Sequence, residues 1–133
     1  MMALERGRKT PEVAEGGRFL VLPVAAGVKI HEGSLVAIGA DGYAKAAAKG
    51  TGLTAAGRAE RFADNTGGAD GDITVRVARG VFVWDNDGSV TAAHILKDCY
   101  IVDDCTVTAT STGSSKAGKV IAVSDDGVAV ETR

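Results

Sequence analysis

Apolar residues in this chain come in very short runs. From Pro23 to Ala46 the sequence reads PVAAGVKIHEGSLVAIGADGYAKA, cut by Gly27, Gly33, Gly39 and Gly42. Segments this short are too brief for helices and suit β-strands joined by tight turns. The pattern predicts strands over Phe19–Val24, Val28–Ile30, Ser34–Ile38 and Tyr43–Ala46. Asp41-Gly42 is a strong two-residue turn signal between the last two. Thr51–Phe62 is ambiguous, because its alanines permit a helix while Gly52 and Gly57 argue for strand or loop. Asn65–Gly71, NTGGADG, is a loop by composition.

Ile73–Trp84 is the clearest strand region. Ile73, Val75 and Val77 alternate with Thr74, Arg76 and Ala78, giving one buried and one exposed face. The alternation ends at Gly80, where a bulge or sharp bend is expected. Beyond it Val81, Phe82, Val83 and Trp84 are all apolar, which predicts cover on both faces. Asp85–Gly88 is a turn, and Thr91–Leu96 forms one short helical turn. Cys99–Val102 and Thr106–Ala109 read as strands about Asp103-Asp104. Thr110–Ser115, TSTGSS, is a flexible loop. Lys119–Val123 and Val128–Glu131 read as a hairpin about Asp126-Gly127. Many short strands without long helical patterns predict an all-β fold. The expected form is a single-domain β-sandwich, jelly roll or small β-barrel over residues 18–133. Residues 1–17 are polar, of mixed charge and without a core of their own, and read as an extended N-terminal arm. Arg6, Arg8 and Lys9 lie close together there, largely offset by Glu5, Glu12 and Glu15. That arm is either a solvated tail or a segment that orders on a partner.

Composition changes the picture in two ways. Hydrophobic residues make up 45% of the 133, but aromatics only 5%. The core is therefore built of small side chains and is thin, so a partner that covers part of the surface adds stability. The formal net charge of −2 gives no global pull toward nucleic acid or an anionic membrane. The N-terminal stretch has no apolar core of the signal-peptide kind, and no run approaches the ~18 apolar residues of a membrane span. The protein is expected to be made and kept in the cytoplasm of its producer, and there Cys99 and Cys105 are free thiols rather than a disulfide. Six residues apart and without further ligands nearby, they do not make a zinc pattern.

Chemistry-bearing motifs are sparse. Gly113–Lys119, GSSKAGK, fits the spacing of a phosphate-binding loop. Such a loop needs a strand before it and a helix after it, and a Ser or Thr next to hold magnesium. Here the next residue is Val120, and VIAVSDDGVAV is a hairpin pattern. Asp85, Asp87 and Gly88 hint at a calcium loop, but Val83 stands where the first acidic ligand belongs. Asp98, Asp103 and Asp104, and Asp125 and Asp126, read first as turn residues. His31 and His94 have no evident partner, and there is no nucleophile elbow. No catalytic, cofactor or metal residues are assigned. Phe82 and Trp84 are candidate contact residues, since Trp is enriched in binding hot spots; core packing is the competing role.

Four segments in order carry a resemblance: PVAAGVKIHEGSLVAIGADGYA, RAERFADNTGGADGDITVRVARGVF, CYIVDDCTV and AGKVIAVSDDGVAVE. Over residues 18 to 131 this set resembles the small capsid cement (decoration) proteins of tailed phages, some of which carry a recombinase-like label. Relatives often have an aromatic residue in the last hairpin, where this chain has Ala129. The resemblance implies a β-rich protein on the outer surface of the virion. It implies binding across neighbouring major capsid protein subunits, often as a homodimer, and no catalytic residues; a trimer is the other self-association considered, and charge and hydropathy predict no nucleic acid or membrane partner. Arg6, Arg8, Lys9, Phe82 and Trp84 are the expected contact residues. The alternative is a nucleotide-dependent phage recombination protein using Gly113–Lys119.

Overall fold

Short apolar runs between glycines become strands wherever alternate residues find a core. The computed structural model describes residues 18–133. Its strands are β1 Phe19–Pro23, β2 Lys29–Ile30, β3 Leu35–Ile38, β4 Ala44–Ala46, β5 Thr54–Ala59 and β6 Ala63–Asp64. There follow β7 Thr74–Ala78, β8 Gly80–Asn86, β9 Asp98–Ile101, β10 Thr106–Thr108, β11 Lys116–Ser124 and β12 Gly127–Thr132. A 3-10 turn, Ala92–His94, lies between β8 and β9. The fold is all-β. Of the forms left open by the sequence it takes the small barrel, joined to an open sheet.

The barrel closes in the order β10-β8-β12-β11-β9, and the sheet runs β1-β7-β5-β3-β4. β2 and β6 make a separate two-stranded ribbon. Every strand pair is antiparallel except β10 with β8, where Thr106 faces Asp85 and Val107 faces Asn86. The chain passes from sheet to barrel at Arg79-Gly80, the point where the alternation breaks.

Two cores result. Trp84, Cys99, Ile101, Val107, Val120, Val128 and Val130 fill the barrel, with Leu35 and Ala37 from the sheet packed against them. Val24, Ile30, Val36, Ala44, Val75 and Val77 form the second core on the opposite face of the sheet. β3 therefore belongs to both, its alternate residues pointing to opposite sides. Backbone and hydroxyl bonds reinforce the join. Leu35 N donates to Asp104 O in the β9–β10 turn (2.7 Å). Ser115 Oγ donates to Gly50 O (2.6 Å) and accepts from Leu53 N (3.1 Å).

Three details correct the expectations. The ambiguous segment Thr51–Phe62 contains strand β5, with Ala56 as the extra residue of a bulge opposite Val36 and Ala37. Gly57 decides the matter. Its φ is +143°, and a Cβ there would lie 2.0 Å from Ala78 O. The cover expected over both faces of Val81–Trp84 is absent among the described residues: Phe82 and Trp84 turn inward, but Val81 is 46% and Val83 58% exposed. The last hairpin turns at Asp125-Asp126, because Gly127 already pairs with Ser124. In the loop after β6, Asn65 is a buried anchor missed by composition. Its Nδ2 donates to the carbonyls of Val24, Ala25 and Ala69 at 2.9–3.2 Å.

Because β3 serves both cores, the halves unfold together. Val36→Ala lies in the second core, yet is expected to lower the urea midpoint read by Trp84 fluorescence in the barrel. Its cost is about 1–3 kcal/mol. The midpoint read by far-UV circular dichroism should fall equally; a Trp84 transition that stays put would separate the two halves.

Candidate functional site

Of the contact residues singled out in the sequence, Phe82 and Trp84 lie among the described residues, side by side on β8. Arg6, Arg8 and Lys9, with the rest of residues 1–17, lie outside the described residues. Trp84 is 4% exposed and sits in the barrel core, so it offers a partner no surface in this fold. Its Nε1 has no acceptor among the described residues. An unmet buried donor costs about 1–3 kcal/mol, so packing of the ring, not its polar atom, is what Trp84 contributes. Phe82 is half-buried, edge-on to Trp84 with ring centroids 6.3 Å apart.

The phosphate-loop-like segment is mostly strand. Lys116–Lys119 lies in β11, and Gly118 faces Cys99 of β9. A Cβ at Gly118 would stand 2.3 Å from Glu131 O, so this glycine serves the close approach of β11 and β12. Val120 N, next along, donates to Lys97 O (2.9 Å) and is not free for a phosphate. Ser115, at the entrance, is buried and held by Gly50 and Leu53. The β11–β12 hairpin stands where a phosphate loop needs a helix, so neither the cradle of free amides nor the helix dipole is formed. Lys119 projects into solvent from the strand.

The two cysteines differ sharply. Both are free thiols, Cys99 buried and Cys105 exposed. Burial, helped by the nearby Asp98 charge, pushes the Cys99 thiol up to about 11. At Asp103 burial acts upward, but hydrogen bonds from Cys105 and Thr106 outweigh it and hold the carboxyl below its usual range. Asp103 Oδ1 accepts from Cys105 N at 2.9 Å, which is turn chemistry. Asp103, Asp104 and Cys105 place ligand-type atoms within 4.8 Å of one another on this exposed turn.

The arrangement missed by sequence reasoning lies at the edge of the sheet. The barrel packs on β3 and β5 from one face of the sheet, and β7 and β1 lie beyond it. The six arginines of residues 18–133 are Arg18, Arg58, Arg61, Arg76, Arg79 and Arg133. All of them line one of two adjoining clefts beside β7 and β1. The larger, about 620 Å³, lies at the junction of sheet and barrel. The smaller, about 280 Å³, runs over Val21 and Phe62. Among the described residues Glu60 is the one side-chain carboxylate lining either cleft, and it pairs with Arg58 at 2.9 Å. Arg18, Arg61, Arg76 and Arg79 have no carboxylate partner among the described residues. Three guanidiniums lie over aromatic rings: Arg76 at 4.2 Å and Arg18 at 5.7 Å from the Phe19 centroid, and Arg58 at 4.5 Å from that of Phe82. A guanidinium over a ring face is held there by the ring quadrupole without using its N–H donors; Arg58 gives one of its own to Glu60. The signal available in the sequence was weak: four arginines from 58 to 79, two in short strands and two just beyond strand ends.

No protein-family model, curated protein or solved structure matches the chain.

The contrast between the thiols is measurable. A thiol reagent should label Cys105 at once and Cys99 only on unfolding. Cys99 also makes stability fall in alkali. Its folded pKa lies above that of an unfolded thiol, ~8.5, so its contribution is complete below that pH and is lost as pH rises toward about 11. A Cys99→Ala variant should lose this part of the alkaline decline. Gly118→Ala should cost roughly 2–4 kcal/mol in urea unfolding, the expected effect of forcing a side chain into a strand contact; an unchanged midpoint would contradict the close approach of β11 and β12.

Proposed function

We propose that this protein is a structural component of a tailed-phage head that binds the outer capsid surface and cements neighbouring major capsid subunits. It acts by adhesion, not by chemistry, and associates with itself as a homodimer or a trimer. The observation that carries this reading is the bare outer wall of the barrel. Val83 on β8, Ala129 on β12 and Ala122 on β11 stand side by side across three bonded strands. Val81 extends the strip along β8, and Ile121, 37% exposed, lies beside Ala122. A row of exposed apolar side chains on a rigid sheet is surface that a partner can remove from water.

The four segments that carry the resemblance support the same reading. They fall on the strands and turns of the framework, where they shape surfaces rather than gather reactive groups. A repeated clamp also needs little affinity per contact. Each copy bridges subunits, so the second contact is made at high effective concentration.

The test is sedimentation. Purified protein should pellet with mature heads and not with precursor shells. Deleting residues 1–17 should weaken that binding, and Val83→Asp should weaken it by roughly tenfold while circular dichroism shows the fold intact. Protein that stays in the supernatant with every head form would overturn the proposal.

A further inference from the structure

β1 ends the open sheet, and its outer edge is unpaired among the described residues. The direction of its backbone groups is fixed by two bonds. Arg79 N donates to Arg18 O (2.6 Å), and Val24 N donates to Ile73 O (3.0 Å). Even-numbered residues therefore point their N–H and C=O at β7, and Phe19 and Val21 point theirs outward. Pro23, next in that series, has no N–H, so the edge can pair over Phe19 and Val21 and then stops. The side chains of these same two residues are exposed, Val21 at 65%. They stand among the arginines of both clefts.

We infer that this edge and its arginine-lined clefts form a docking site for an extended, carboxylate-rich polypeptide segment of a partner protein. Three features converge on that occupant. Four guanidiniums without carboxylate partners among the described residues demand anions, and a carboxylate matches the guanidinium fork in two parallel bonds. The outward amides and carbonyls of Phe19 and Val21 lie at strand spacing, which only another polypeptide backbone can match. In an added strand, alternate side chains fall on the face of Phe19, Val21 and Arg76, so acidic residues at every second position meet the arginines.

Nucleic acid fits less well. It would use the guanidiniums but leave the strand edge unpaired. Of the three rings lining the clefts, Phe19 is already covered by Arg76 and Arg18 and Phe82 by Arg58, which leaves Phe62 alone open to a base.

The inference rests on the adhesive reading only for the identity of the protein that supplies the segment. It can be tested without that protein. Fluorescence anisotropy of the full chain with a labelled peptide of alternating Thr and Glu should show saturable binding that weakens with salt. The Gln counterpart of the peptide should bind at least roughly tenfold more weakly. Arg18→Glu with Arg79→Glu should weaken the Glu peptide by a similar roughly tenfold factor or more. Val21→Pro removes an outward N–H, keeps an apolar side chain in the cleft and is tolerated on an edge; it should also weaken the peptide, with circular dichroism unchanged, and Val21→Ala, which keeps the N–H, should weaken it less. No binding of the Glu peptide at low salt overturns the inference. So does equal binding of a single-stranded oligothymidylate with Val21→Pro without effect, which would mark a general polyanion surface. Protein that binds the peptide but never pellets with heads upholds this site and overturns the capsid reading alone. Protein that pellets with heads and ignores the peptide does the reverse.

Discussion

The rest of the structure depends on the burial of β3 from both sides. Leu35 and Ala37 close the barrel core, while Val36, between them, closes the second. A four-residue strand can do this only if its neighbours come close, and the alanines make that approach. Ala55, Ala56 and Ala59 on β5 present little bulk to either core. With few aromatics available, the interior is filled by bringing backbones together instead of by large side chains. Gly57 against Ala78 O and Gly118 against Glu131 O are the tightest results of that strategy. Each sits at a register shift, where an extra residue bends the strand and lets two surfaces meet.

The same constraint creates the exposed surfaces. A five-stranded sheet is wider than the flank of a five-stranded barrel can cover once β3 is placed at the contact. The strands beyond it, β7 and β1, are left bare on the barrel side. Arginine suits this position better than lysine. Its weakly hydrated group sits over Phe19 and Phe82, where an ammonium would hold its water more tightly, yet it keeps its charge. The net charge of −2 conceals this, because the compensating aspartates cluster on barrel turns such as Asp103-Asp104 and Asp125-Asp126. A near-neutral chain thus carries a strongly cationic edge.

Local rules made the strands legible, and long-range contacts decided the rest. Alternation placed β1, β3 and β7 within a residue or two, and the break at Gly80 marked the passage from sheet to barrel. Thr51–Phe62 stayed ambiguous because the deciding contact, Gly57 with Ala78 O, joins residues 21 apart in sequence. The run Val81–Trp84 was misread for a different reason. Apolar character shows that a residue can be buried, not that cover exists, and the barrel covers one face only. The arginine edge was illegible because Arg18 and Arg133 lie at opposite ends of the described chain and meet only through the order of strands. The phosphate-loop spacing at Gly113–Lys119 shows the converse. The residue types are present, but the hairpin after them consumes the amides on which the chemistry depends.

The bare barrel wall and the arginine edge are unlike in chemistry, and they meet at Val81, which belongs to the first and lines the second. They are joined through β7 and β8, consecutive strands separated by Arg79 alone. This arrangement has a physical consequence for any adhesive role. A surface of one character binds one kind of patch, and two copies of that patch on a lattice compete for it. Two surfaces of different character on one rigid body can hold two different patches at once. The distance between those patches is then set by the fold, not by a linker. Bridging of that kind resists separation of the two patches directly, since pulling them apart must break one contact or unfold β3 from one of its cores.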